Sequence, residues 1–280
     1  MIKSHYIKEK LQTTQTVESI THILESLASI RIGQIKDDVL TSREYFQRLW
    51  SIFSQLRINE KEGQRQQIQK KSRSAALLIT ANAGLSGEID TNLISLALSE
   101  IDINKTDFIV YGLHGEQLLL QRGIKPAKVF KFPEVGAPID TSECANFICQ
   151  YEKPLVYFPS YRALTVQYIS KIELIDAVQT VGAGDEIDLS QIISKDNTIF
   201  EPTLSEVVQY LEQIMVGVIL TEIILESNLA QFSSRFNAMT SASARASHSA
   251  RLLQRQYRQI KRYELDEANR QYRKVKRVLT

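Results

Sequence analysis

Glycines between an apolar strand and a helix can cradle a phosphate on backbone amides. The stretch Ala81-Asn82-Ala83-Gly84-Leu85-Ser86-Gly87 follows such a run, Ala75 to Thr80. Phosphate chemistry of this kind also needs Gly-Lys-Ser/Thr or Gly-x-Gly-x-x-Gly, and neither follows. The stretch therefore reads as a strand-to-helix turn. The four histidines, His5, His22, His114 and His248, are scattered, and none pairs with another His or Cys at ligand spacing, so no metal site is expected. Cys144 and Cys149 are too few for a disulfide framework. Reduced, buried thiols are the expectation, with a local redox pair as the alternative, and a cytoplasmic compartment fits. No Ser, His and Asp constellation can be assembled without inventing contacts, although sequence separation does not exclude one.

The elements that carry these residues are organised around the tail, Thr203 to Thr280, which has no proline and one glycine, Gly217. Its apolar positions Leu229, Phe232, Phe236, Met239, Ala242, Ala246, Ala250, Leu253, Tyr257 and Ile260 step by three and four, keeping one stripe on one side of a helix. A helix of about 75 residues would be roughly 110 Å long and needs a partner. Small residues from Met239 to Ala250 suit close approach, either by a crossing helix or by a surrounding sleeve.

Charge is uneven along the chain. From Arg251 onward ten Lys or Arg face Glu264, Asp266 and Glu267, a balance of +7, so the rest of a chain of net +2 is −5. A basic tip of this kind fits acidic protein, nucleic acid, a membrane surface, or a solvated helix end. The amino end, Met1 to Lys10, has no following apolar run, and no window approaches the ~20 apolar residues of a membrane span, so the expectation is a soluble, unexported chain.

The first sixty residues mirror the tail. Val17, Ile20, Leu24 and Leu27, then Phe46, Leu49, Trp50, Phe53 and Leu56, again step by three and four, predicting a second long helix from about Ile2 to Leu56. Asn59 to Arg73 is a polar link. Between the helices, Ala75–Thr80, Asp107–Tyr111, Val129–Phe132, Pro154–Pro159 and Val166–Ile175 read as strands. Ile89–Ser99, His114–Arg122 and Thr141–Gln150 read as helices, and the alternation predicts a mainly parallel sheet. All six prolines lie between Pro126 and Pro202. The expected fold class is thus α/β: a long antiparallel coiled coil of N- and C-terminal helices, 1–60 and 203–280, with a Rossmann-like α/β domain inserted at 74–200.

These residues bear a family resemblance over nearly the whole chain. It resembles the γ subunit of F-type ATP synthases, whose strand-to-helix loop Gly-Leu-Cys-Gly-x-x-Asn-x-Asn-Leu corresponds to Gly84-Leu85-Ser86-Gly87-Glu88-Ile89-Asp90-Thr91-Asn92-Leu93. The family's Gly-x-Lys-Gly is Gly112-Leu113-His114-Gly115, with Arg122-Gly123 after it, and its Phe-Glu-Pro-Ser is Phe200-Glu201-Pro202-Thr203. Its Glu-Ser-x-x-Ser-Glu-x-x-x-Arg-Met-x-Ala-Met is similar to Glu226-Ser227-Asn228-Leu229-Ala230-Gln231, continued by Arg235-Phe236-Asn237-Ala238-Met239. Thr14-Gln15-Thr16-Val17 is similar to Thr-Gln-Lys-Ile. Departures are Ala230-Gln231 for Ser-Glu, Arg245 for an Asn, Lys261-Arg262 for Arg-Gln, and a basic ending, Arg273-Lys274-Val275-Lys276-Arg277, where family tails are apolar and glycine-rich. Such departures fit a divergent paralogue of a variant rotary ATPase, for example an N-type sodium enzyme.

The resemblance implies a rotor shaft that does no bond chemistry and binds no cofactor. Its helices would stand inside a hexamer of α and β subunits, and its α/β domain would hold ε and the membrane c-ring, at the cytoplasmic face of the membrane. An asymmetric shaft biases each β subunit in turn by differential contact. The rotor-tip contacts implied are Arg258, Lys261 and Arg262 against acidic loops, with Tyr257 and Leu265 in an apolar bearing. No nucleic acid is expected. The alternatives are a coiled-coil adaptor whose basic tip binds nucleic acid, and a small nucleotide-binding enzyme, which lacks catalytic residues.

Overall fold

A computed structural model describes residues 2–60, 73–132, 139–174 and 204–279. In chain order these form α1 (Ile2–Glu60), β1 (Ser74–Ile79), α2 (Ile89–Glu100), β2 (Thr106–Tyr111), α3 (Leu113–Gln121), β3 (Lys128–Phe130), α4 (Ser142–Ile148), β4 (Leu155–Ala163), β5 (Val166–Glu173) and α5 (Leu204–Leu279). The two long helices are continuous over 59 and 76 residues. Most of the expected linker, and Phe200 to Thr203 with Glu201 and Pro202, lie outside the described residues.

The chain packs as two compact units, Met1–Ser29 with Arg235–Thr280, and Ile30–Ser234. The second unit is built on a five-stranded sheet of order β3-β2-β1-β4-β5. β1 runs parallel to β2 and β4, and β2 parallel to β3, whereas β5 is antiparallel to β4. The sheet is therefore mixed, its parallel part joined by helical crossovers and its edge by a hairpin.

β1 explains why a continuous apolar run forms this strand. Ala75, Leu77 and Ile79 face a cluster with Cys144, Ile148 and the α5 residues Met215, Ile219, Leu220, Ile223 and Ile224. Ala76 and Leu78 face the opposite cluster, with Leu93, Ile94 and Ala97 of α2 and Leu119 of α3. A strand covered on both faces has no polar side to alternate. Truncating Leu77, which is fully buried, would cost about 2–5 kcal/mol.

Pro159, expected to close its strand, sits inside β4 opposite Ile169 of β5. The β1 ladder on the other side of β4 ends at Tyr157, so beyond it a missing N–H costs no sheet bond on that side. In β5 the expected alternation is half realised, with Leu174 just after it buried but Val166 and Tyr168 about half exposed.

Two pendant acids stitch the sheet to its helices. Glu100 at the end of α2 accepts from Lys171 at 2.7 Å and from the Tyr157 hydroxyl at 2.9 Å, and these bonds hold its carboxyl below the usual range. Asp107 accepts from the Tyr151 hydroxyl at 3.0 Å and pairs with Arg73 at 3.1 Å.

Cys144 is a free, buried thiol, and Cys149 is half-buried. Burial pushes the Cys144 thiol up to about 12, so it stays protonated and unreactive at pH 8. Iodoacetamide at that pH is expected to leave Cys144 unmodified in the native chain and to alkylate it fully in denaturant, as read by peptide mass mapping. Stoichiometric alkylation of Cys144 in the folded chain would show its burial to be wrong.

One window of α5, within Gln213–Arg273, is long and apolar enough to cross a membrane by length and composition. It is 56% buried inside the protein, as expected of a core helix.

Candidate functional site

The glycine-containing turn is held by its neighbours' backbone. At the end of β1 the Thr80 amide donates to Tyr111 O at 2.8 Å, and the Thr80 hydroxyl accepts from the Gly115 amide at 3.0 Å. α3 reaches Thr80 this closely because Gly112 and Gly115 have no side chains. A Cβ on Gly112, whose φ is +112°, would lie 2.0 Å from Thr80 O, and one on Gly115 would lie 2.3 Å from Thr80 Oγ1.

Beyond Thr80 the turn inverts twice, with Leu85 at φ +67° and Gly87 at φ +69°. Between them Ser86 is turned inward and buried, while Leu85 is 62% exposed. A non-glycine residue in the left-handed region is uncommon, and here the flanking bonds hold it. Asn92, the other motif residue of this segment, is exposed on the first turns of α2.

Asp90, in the first turn of α2 and 1% exposed, accepts through Oδ2 from the Ala81 amide at 3.3 Å and meets His114 Nδ1 at 2.7 Å. Sequence reasoning missed this pair. A signal for it existed, because both residues open helices that follow adjacent parallel strands, which places them at one sheet edge. A buried carboxylate at the amino end of α2 occupies the place a phosphate would use and repels an anion. Ser86, the serine of this turn, is not a nucleophile activated by the Asp–His pair, because its buried hydroxyl makes no hydrogen bond. Among the described residues no His, Cys, Asp and Glu group fit to hold a metal occurs.

The carboxyl ends of β1 and β4 are where a doubly wound sheet receives its ligand. Here the chain's own helix is tethered there. The Ser234 hydroxyl of α5 donates to Ser86 O at 2.7 Å, and the Ser160 hydroxyl of β4 donates to Glu226 of α5 in a short bond. Further back, the Thr141 hydroxyl donates to Gly217 O at 2.9 Å. Polar contacts of α5 therefore sit at the crevice where a nucleotide would be sought.

In the other unit the α5 stripe falls as its spacing predicts. Met239, Ala246, Ala250 and Leu253 are buried, and Phe236, Ala242, Tyr257 and Ile260 are half-buried. Arg235, on the same helix, is half-buried too. On α1 the apolar stripe is not the most covered face, and of its residues Leu24 is half-buried. Val17, Ile20 and Leu27 are 46%, 50% and 52% exposed, while Thr21 and Ala28 are buried and Thr14 half-buried. Spacings of seven put Thr14, Thr21 and Ala28 on one face, where small side chains permit close packing. The buried Thr21 hydroxyl is satisfied within its own helix, at 2.9 Å from both Val17 O and Glu18 O. Glu25 accepts from Thr240 of α5 at 2.8 Å. What remains uncovered is a row of large apolar side chains, Val17, Ile20, Ile23 and Leu27, on α1. The side chains of Phe46, Trp50, Phe53 and Leu56 lie outside the described set.

At the tip Arg258, Lys261 and Arg262 are exposed, Tyr257 is half-buried and Leu265 is 56% exposed. Lys261 Nζ lies 5.9 Å from the Tyr257 ring centroid, so the ammonium leans back over its own helix. The tip residues thus lie together towards one end of α5.

Comparison with known proteins follows this geometry. The family model described as ATP synthase matches residues 3–265. The ATP synthase gamma chain of Mycoplasmoides gallisepticum is 22% identical, over 91% of this chain and 93% of its own. That of Prosthecochloris aestuarii is 21% identical, over 90% and 89%. Among solved structures, the chain resembles one in the Euglena gracilis mitochondrial ATP synthase rotor, at TM-score 0.63 and 13% identity, covering 94% of this chain and 99% of that one. A second match, in the OSCP/F1/c-ring assembly of the same organism, has TM-score 0.64, 15% identity, and covers 95% and 91%.

Proposed function

The chain belongs to the ATP synthase family as a gamma-type central-stalk subunit, and from that premise we propose how its parts do the work. The single observation that carries the proposal is the uncovered apolar row Val17, Ile20, Ile23 and Leu27 on α1. A row of large apolar side chains left in water marks a surface made to be covered. Residues 1–60 and 203–280 act as an antiparallel coiled coil seated in a sleeve of three α and three β subunits. The insert, residues 74–200, carries the contacts to ε and to the membrane c-ring, at the cytoplasmic face.

The subunit makes and breaks no bond itself. Its asymmetry presents each β subunit with a different face in turn, and only a difference in contact free energy between open and closed states can drive them apart. Against acidic loops of the sleeve, Arg258, Lys261 and Arg262 supply attraction, while Tyr257 and Leu265 ride in an apolar bearing. The relatives reported above are ATP synthase proteins, which gives the nucleic-acid adaptor no support.

Two expectations test this. A tagged chain is expected to co-purify with a 3:3 hexamer of nucleotide-binding subunits, and its recovery alone or with nucleic acid would overturn the reading. Lys261→Ala with Arg262→Ala removes two exposed ion pairs, each contributing about 0.2–1 kcal/mol. The work delivered per ATP in the reconstituted head, read as torque, is expected to fall by up to about 0.4–2 kcal/mol for the two pairs together while the helix content is unchanged. Unchanged torque would sink the tip assignment.

A further inference from the structure

Among the described residues four side-chain atoms, all in the Ile30–Ser234 unit, are buried without a hydrogen-bond partner: Ser86 Oγ, Asp90 Oδ1, Ser227 Oγ and Gln231 Nε2. Their residues are 1%, 1%, 0% and 3% exposed. Buried polar groups are normally paired, and these four lie on two segments that touch, the β1–α2 turn with the start of α2 and one stretch of α5. Ser227, Gln231 and Ser234 are spaced by four and three, which sets them on one face of α5. On that face Ser234 already donates to the Ser86 carbonyl at 2.7 Å. Asp90 follows Ser86 by four residues, and its other oxygen is fixed by Ala81 and His114.

The unmet atoms are chemically complementary. Asp90 Oδ1 only accepts, Gln231 Nε2 only donates, and the two hydroxyls do both. A cation would serve Asp90 and the hydroxyls but would face the Gln231 N–H with positive charge. An anion would meet the Asp90 carboxylate. Water can donate to Asp90 Oδ1 and accept from Gln231 Nε2 at once, and buried waters typically make about three such bonds.

We propose that ordered water is bound in the seam between the β1–α2 turn and α5, held by Ser86, Asp90 and Gln231, with Ser227 extending the site along the helix. Such water serves a definite purpose. The neighbouring apolar contacts of α5, from Met215 to Ile224, are non-directional, so the register of the helix rests on directional bonds, those from Thr141, Ser160 and Ser234 among them. A hydrogen-bonded polar row accepts one register, which fixes the turn carrying Leu85 to one place on α5.

The test is a high-resolution structure of the full chain, together with urea unfolding of Gln231→Met and Ser227→Ala. The expected map shows a peak about 2.7–3.1 Å from Asp90 Oδ1 and Gln231 Nε2. Gln231→Met is expected to lose that peak and to lower the folded-to-unfolded ratio by about 5- to 30-fold, with Ser227→Ala weaker in the same direction. A dry seam predicts the opposite sign, because removing an unmet buried donor stabilises the fold. No peak, a peak with the short, all-oxygen coordination of a cation, or a raised urea midpoint in either variant would each overturn the proposal. The site is independent of the rotor reading, and co-purification leaves it untouched.

Discussion

Gly112→Ala is expected to unfold the α/β unit or to destabilise it by roughly 3 kcal/mol or more. The new methyl would sit 2.0 Å from Thr80 O, 2.7 Å from Thr80 C and 2.8 Å from Ala81 O, all of them backbone atoms that cannot swing aside. Its φ of +112° adds strain that only glycine escapes. Gly123 is the control: its φ is +76°, but a Cβ there meets nothing within 4 Å. Gly123→Ala should therefore cost only the backbone term, about 1–2 kcal/mol. Amide exchange of β1 and β2 in the full chain reads both. Equal protection in the two variants would mean that α3 does not approach Thr80 as closely as the bond from the Gly115 amide requires.

The second large effect lies on α1. Ile20→Glu with Leu27→Glu changes two side chains that are half in water, so helix content by circular dichroism should stay the same. Seating in an apolar sleeve should fail, because each buried carboxylate without a partner costs at least several kcal/mol. Retention in the head is expected to fall by about 100-fold or more, a factor of ten for each 1.4 kcal/mol. Unchanged retention, measured as the share of chain that co-sediments with the head, would show that the row faces solvent in the assembly as well.

That row also shows where the sequence was legible and where it was not. The long helices could be read because steps of three and four persist without proline, and β1 because five apolar residues in a row, Ala75 to Ile79, admit no polar face. The face of α1 could not be read in the same way. Periodicity marks Val17, Ile20 and Leu27 as the strongest apolar stripe, but it does not say which partner covers it. Inside the chain the close contact goes instead to Thr21 and Ala28, small enough for helices to approach. Pro159 misled for a related reason, since a proline ends a strand only where its missing N–H was needed. The Asp90–His114 pair is a tertiary fact, made when parallel strands bring two helix starts together. Asp90 and His114, which stand where the family's Gly-Leu-Cys-Gly-x-x-Asn and Gly-x-Lys-Gly carry Asn and Lys, are in contact.

Rotation of this chain inside its partners is read most directly by single-molecule observation. With the head fixed to a surface and a bead attached through Lys153→Cys, a position with an exposed side chain in the α/β unit, ATP is expected to drive one-way rotation in three steps per turn. A bead that stays still while the head hydrolyses ATP at full rate would contradict it.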